Sequence, residues 1–214
     1  NGVDDIPDDK KPDHARVGEA VYRTAKELQG YISKLEEIRV PVIAAVHGGV
    51  IGGALDLITA CDMRFASNDA FFCIQEINIG MAADVGTLQR LPKIIPDSKM
   101  REMAYTGRRM LADEAKDSGL VGEVYETQDE MLDAVHKLAA EIASKSPVAI
   151  YGLKAVMNYS RDHNVSDSLD FNALWSGAML SQADMTEAMT AQMEKRDASF
   201  DKMVDVKKFN ESKS

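Results

Sequence analysis

PVIAAVHGGVIGGALDLITACDMRFASNDAFFCIQEINIGMAADVGTLQR, residues 41–90, decides the fold. Pro41 ends what precedes it. Val42-Ile43-Ala44-Ala45-Val46 is wholly apolar and rich in β-branched residues, the composition of a short strand buried on both faces. Gly48, Gly49, Gly52 and Gly53 make a glycine-rich turn, and residues 54–60 read as a helix. A buried strand thus runs through a glycine turn into a helix N-terminus, where unpaired backbone N–H groups and the positive end of the helix dipole collect. Such a place binds an anion, or an oxygen that becomes anionic during a reaction.

Asp56, Glu76 and Asp84 follow at intervals of twenty and eight residues. Asp56 lies one turn into the helix among Leu55, Leu57 and Ile58. Glu76 comes after the apolar run Ala70–Ile74, and Asp84 stands in the weakly polar loop Ile79-Gly80-Met81-Ala82-Ala83. Carboxylates in apolar settings are costly unless paired. Several of them beside an oxyanion site suit proton transfer next to a carbonyl. Each also has a plainer reading: Asp56 as a first-turn helix acid, Glu76 as a partner of Arg64 or Arg90, and Asp84 as a cap for a helix starting near Gly86. Gly53 is either a close-packing glycine or an oxyanion donor. Asp62 reads as structural, and so does His47, directly before the glycine turn.

These residues resemble the enoyl-CoA hydratase/isomerase (crotonase) superfamily, whose signature is an apolar strand, a glycine-rich turn and an acid some way beyond. HGGVIGGALDL, ACDMRFAS and QEINIGMAADVGTLQRLPKIIP look like the Δ3,5-Δ2,4-dienoyl-CoA isomerases within it. The likeness continues through SGLVGEV, AAEIASKSPVAI and NYSRDHNVSDSL, and so covers nearly the whole chain. Asp56 matches the subfamily's first acid, where hydratases have Glu, and Glu76 matches the second. Asp84 matches the third, which hydratases lack. Gly53, with Gly52 before it, matches the oxyanion-hole and substrate-binding turn.

The resemblance implies an α/β, crotonase-like (ClpP/crotonase) spiral fold. Residues 1–146 would form the core and residues 147–214 an all-helical C-terminal oligomerisation region, making a homotrimer or a dimer of trimers. Members carry a further segment before the region matching Asn1, with the first strands and a second oxyanion-hole N–H, so the chain is expected to be N-terminally incomplete. The implied reaction turns a 3,5-dienoyl-CoA into a 2,4-dienoyl-CoA. It needs no metal and no separate cofactor, since CoA is part of the acyl-CoA substrate. Relatives of this kind place it in the mitochondrial matrix or the peroxisome. An enoyl-CoA hydratase using Asp56 and Glu76 is the alternative enzyme, and a non-catalytic crotonase-like subunit is the alternative of another class.

Composition narrows the partners. The chain has 214 residues, 45% of them hydrophobic, and a formal charge of −10, which argues against general nucleic-acid binding. The best candidate for a basic patch is 90–109, where Arg90, Lys93, Lys99, Arg101, Arg108 and Arg109 outnumber Asp97 and Glu102. That cluster is either a phosphate-binding patch or a solvated helix face. Cys61 and Cys73 lie in apolar runs without CxxC spacing, as buried thiols rather than a disulfide or metal pair. No run is long and apolar enough to span a membrane. No Ser-His-Asp or Cys-His set appears. The ending Glu211-Ser212-Lys213-Ser214 is only loosely like a peroxisomal address.

The remaining chain reads as helices. Residues 14–38 carry Val17, Val21, Leu28, Ile32 and Leu35 on one face, after an acidic loop over residues 1–13. Strands are expected over 63–66, 70–74 and 120–124, with crossover helices making a parallel sheet. Helices are expected over 86–90, 98–105, 112–117, 129–144, 148–160, 166–181 and 185–200. The last three are rich in Met, a side chain that serves cores and adaptable interfaces. No internal repeat is legible.

Overall fold

A computed structural model describes residues 12–206. Residues 1–11 and the ending Glu211–Ser214 lie outside them. The element order is α1 (His14–Glu37), β1 (Ile43–Val46), β2 (Gly49–Ile51), α2 (Gly53–Thr59), β3 (Met63–Ser67), β4 (Phe71–Cys73), α3 (Thr87–Arg90), α4 (Asp97–Thr106), β5 (Arg109–Leu111), α5 (Ala112–Ser118) and β6 (Glu123–Tyr125). Four helices close the described chain: α6 (Gln128–Ala143), α7 (Pro147–Asp162), α8 (Val165–Met179) and α9 (Gln182–Glu194).

The strands form two small sheets. β1, β3 and β6 are all parallel, with Ile43 opposite Met63 and Phe65 opposite Glu123. In the second sheet β2 and β4 are parallel, and β5 joins β4 antiparallel. The chain leaves β1 for the second sheet at Gly48, whose φ of 62° suits glycine, and enters β2 at once. It repeats the step from β3 to β4. Each turn of the chain therefore gives a strand to each sheet, a spiral repeat that the sequence does not display. Between the layers Leu55, Phe72, Ile74, Leu91, Met103, Met110 and Leu120 are fully or almost fully buried.

Several expectations are corrected. The glycine turn is broken by β2, and β5 was not expected; both are three-residue strands, too short to show a period. β6 starts at Glu123, because Gly119 closes α5 in the left-handed conformation and Leu120 and Val121 are spent in the core. The antiparallel β4–β5 pair makes the second sheet mixed. α9 stops at Glu194, not Phe200, where Lys195 turns left-handed at φ 54°. α1 forms as expected, with Asp13 capping it by accepting from the Arg16 N–H at 3.0 Å. Its apolar face is not covered, however. Val17, Val21 and Leu28 are exposed, and Leu35 alone of the five packs against the core. Periodicity tells which side of a helix is apolar, not what lies against it.

α7 is tied to the core by a buried cation. Lys154 is 3% exposed; its Nζ donates to Asp62 Oδ2 at 2.8 Å, to the Leu35 carbonyl at 2.8 Å and to the Val40 carbonyl at 3.1 Å. Asp62 also accepts from the Val42 N–H at 2.7 Å, which confirms its structural reading. A buried charge is tolerated only when its donors are used in this way. α8 packs on α7 through aromatic contacts: Trp175 meets Tyr151 edge-on at 4.9 Å, and Phe171 stacks on Tyr159 at 4.2 Å.

Candidate active site

β2 and β4 run in parallel, so their carboxyl ends lie side by side, the usual place for a site in such sheets. The Gly52 N–H donates to the Cys73 carbonyl at 3.0 Å and carries the ladder to the threshold of α2. Gly52 has φ 55° and ψ −121°, which side-chain-bearing residues avoid, and a Cβ there would stand 3.1 Å from Glu76 Oε1. Gly52 is thus the close-packing glycine, and it packs against the second acid. Gly53 is not one, since a Cβ there would meet nothing within 4 Å. As the first residue of α2, it has an N–H with no acceptor among the described residues. A free donor one residue from a glycine packed on a carboxylate is what an incoming oxygen needs.

Asp56 is 1% exposed. Its Oδ1 accepts from the Thr87 N–H at 2.5 Å, while its Oδ2 has no partner among the described residues. The helix-dipole reading does not account for that long-range bond. Asp56 instead links α2 to the start of α3, three residues after Asp84. Glu76 begins a 3-10 turn, Glu76–Ile79, closed by Gly80 in the left-handed conformation. No cation pairs with it among the described residues. Arg64 donates to the Leu120 and Cys61 carbonyls and Arg90 to Ser33 and Glu36, so the ion-pair reading of Glu76 fails. Asp84 is exposed, and its carboxylate accepts no hydrogen bond among the described residues. The cap position of α3 belongs to Gly86, which removes the capping reading of Asp84. Gly52 thus meets Glu76 directly, with Gly53 next to it in the chain, and Asp56 reaches the Asp84 segment through Thr87. Thr87 was missed in the sequence because its contribution is a backbone N–H.

The basic cluster and the two cysteines resolve as structural. Arg108 bonds Glu102 and Glu114, Lys99 bonds Glu114, Arg101 bonds Asp97, and Lys93 bonds Asp162. Arg109 lies over the Phe71 ring at 4.2 Å. The basic cluster is thus spent on internal pairs, and the solvated-face reading holds over a phosphate patch. Cys61 and Cys73 are free and buried; burial pushes both thiols up, away from the reactive thiolate. His47 is exposed beside the turn. A cavity of about 540 Å³ is apolar and lies among α7, α8 and α9, lined by Val148, Trp175, Met179, Met185 and Phe200. It includes none of the three acids. No helix of the described residues is long and apolar enough to cross a membrane.

The family model described as enoyl-CoA hydratase/isomerase matches residues 14–203. The chain belongs to the enoyl-CoA hydratase/isomerase family. It is 50% identical over 186 residues to the mitochondrial Delta(3,5)-Delta(2,4)-dienoyl-CoA isomerase of Mus musculus, covering 86% of this chain and 57% of that protein. It is 47% identical over 191 residues to the peroxisomal enzyme of the same name from Arabidopsis thaliana, covering 89% of this chain and 69% of that one. Among solved structures, an enoyl-CoA hydratase from Bacillus anthracis superposes with a TM-score of 0.80 at 29% identity, over 85% of this chain and 70% of that one. The family membership fixes the crotonase fold. The chain spans less than two thirds of the mammalian relatives' own length.

Proposed function

We propose that the site isomerises 3,5-dienoyl-CoA to 2,4-dienoyl-CoA in the oxidation of unsaturated fatty acids. The Gly53 N–H donates to the thioester oxygen. A carboxylate takes a proton from C2, and the electron pair spreads over the oxygen and the diene. A carboxylic acid then returns a proton at C6, leaving double bonds at C2 and C4. Atoms balance and no electrons are gained or lost, so the step asks for no redox cofactor, and CoA arrives with the substrate. Glu76 and Asp84 are the two proton-transfer groups; Asp56 orients the site. Ile77, Ile79 and Met81, all exposed on the segment joining the two acids, offer an apolar wall to an acyl chain.

The observation that carries this reading is Asp84 itself. Its carboxylate neither caps α3 nor pairs with a cation among the described residues, yet it sits on a segment anchored to the same helix as the oxyanion donor. The relatives named above as isomerases support the reading. A hydratase, favoured by the solved structure named above, would leave Asp84 without a task. Given 3,5-dienoyl-CoA, the natural polypeptide carrying these residues should raise the absorbance of the conjugated 2,4-dienoyl thioester and hydrate 2-enoyl-CoA poorly. Efficient hydration without isomerisation would overturn the proposal. The same relatives support a place in the mitochondrial matrix or the peroxisome. The exposed apolar side chains of the last three helices support a trimer or a dimer of trimers.

A further inference from the structure

The segment bearing Asp84 is held less by packing than by polar anchors. Met81, Ala82 and Asp84 are exposed, and within 81–84 only Ala83 is buried. Asp56 on α2 holds the Thr87 N–H, and the Met81 N–H donates to the Glu76 carbonyl; further attachments come from α1. Gln29, Ser33 and Glu36 are spaced i, i+4 and i+7 on α1, which puts them on one stripe. Gln29 Nε2 donates to the Asp84 carbonyl at 2.7 Å. Lys26 Nζ donates to Gln29 Oε1 at 3.2 Å, and this fixes which way the amide points. At the other end of the segment, Arg90 Nη2 donates to Ser33 Oγ at 2.9 Å and to Glu36 Oε2 at 2.8 Å. Glu36 is held in turn by Arg161. Between these ends Gly86 takes φ 143°, where a Cβ would run into the Arg90 guanidinium. A polar cavity of about 390 Å³ lies between the stripe and the segment, lined by Gln29, Ser33, Glu36, Gly86, Gln89 and Arg90 among others. Around the buried Ala83, directed hydrogen bonds beside a cavity help to set where the exposed Asp84 stands.

We infer that Gln29 is a positioning residue for Asp84, with the Ser33–Glu36–Arg90 clamp as its second anchor. This rests on the isomerase reading. Losing the Gln29 donor frees the Asp84 carbonyl and lets its carboxylate drift. A misplacement on the order of 1 Å costs up to about 10²-fold in rate. The unpaired carbonyl itself is exposed to water and costs the fold little.

The test is a double-mutant cycle in the natural polypeptide that carries this chain. Gln29→Met keeps the side-chain length and removes the donor. It should lower kcat for 3,5-dienoyl-CoA by about 10-fold or more. KM and the thermal midpoint should stay near the parent's, and amide hydrogen exchange over residues 81–87 should rise. In the Asp84→Asn background the same change should cost nothing further, because the group it positions is already lost. Near-parental turnover of Gln29→Met beside a crippled Asp84→Asn would overturn the inference alone. So would losses that multiply in the double variant, or unchanged exchange over 81–87. Normal turnover of Asp84→Asn would take down the isomerase reading and this inference with it.

Discussion

At Gly52 two demands meet in one residue: a left-handed φ of 55° and 3.1 Å between a would-be Cβ and Glu76 Oε1. Gly52→Ala should therefore lower stability by about 1–3 kcal/mol through backbone strain, and should also displace Glu76. Gly53→Ala meets open space and should melt within a few degrees of the parent. A thermal midpoint lower for Gly53→Ala than for Gly52→Ala would contradict this assignment. Glu76→Gln keeps the shape and removes proton exchange, so it should lower kcat by at least about 10²-fold with a normal melt. The acids were legible because strand, glycine turn and helix leave local signals and because a family shares their spacing. Their plainer readings fell only to structure: Asp84 lost its cap to Gly86, and Glu76 lost its cations to Glu36 and to main-chain carbonyls. Gln29 gave no signal, since a lone Gln on a helix touches a carbonyl fifty-five residues away only in the fold.

Among elements, α7 is secured by Lys154, and removing that cation tests how the helix is held. Lys154→Met leaves Asp62 and two main-chain carbonyls short of a donor. It should cost about 3 kcal/mol, the low end for breaking a buried pair, since Asp62 keeps some exposure. Urea unfolding within about 1 kcal/mol of the parent would show that α7 is held otherwise. α4, β5 and α5 meet at a second junction. There the hydrogen bonds from Arg108 and Lys99 hold the Glu114 carboxyl down at about 2. The folded value lies below the unfolded one, so the contribution is complete above the unfolded value and fades as pH falls toward the folded one. Glu114→Gln should lower the thermal midpoint at neutral pH, and the gap to the parent should narrow between about pH 5 and pH 3. A gap that widens in acid would reverse the assignment. The longer helices, such as α1 and α6, were the more legible elements, with length enough to show a period. β2 and β5 were not, at three residues each.

On the scale of the whole molecule, large apolar side chains stand in the open: Val21 on α1, Met157 on α7, Leu169 and Leu174 on α8, Met189 and Met193 on α9. Exposed apolar surface gathered on one set of elements marks an interaction face. Light scattering at micromolar concentration should report a trimer or a multiple of it; a well-folded monomer would contradict the proposed assembly. The Met-rich helices were legible as apolar, but exposure needed the fold, because periodicity does not say whether a face turns inward or outward. Everything proposed about chemistry turns on a third acid with no structural employment among the described residues. The most direct measurement is kcat for 3,5-dienoyl-CoA isomerisation by Asp84→Asn in the natural polypeptide, with the thermal midpoint alongside. The expected result is a loss of at least about 10²-fold with an unchanged melt; near-normal turnover would contradict it.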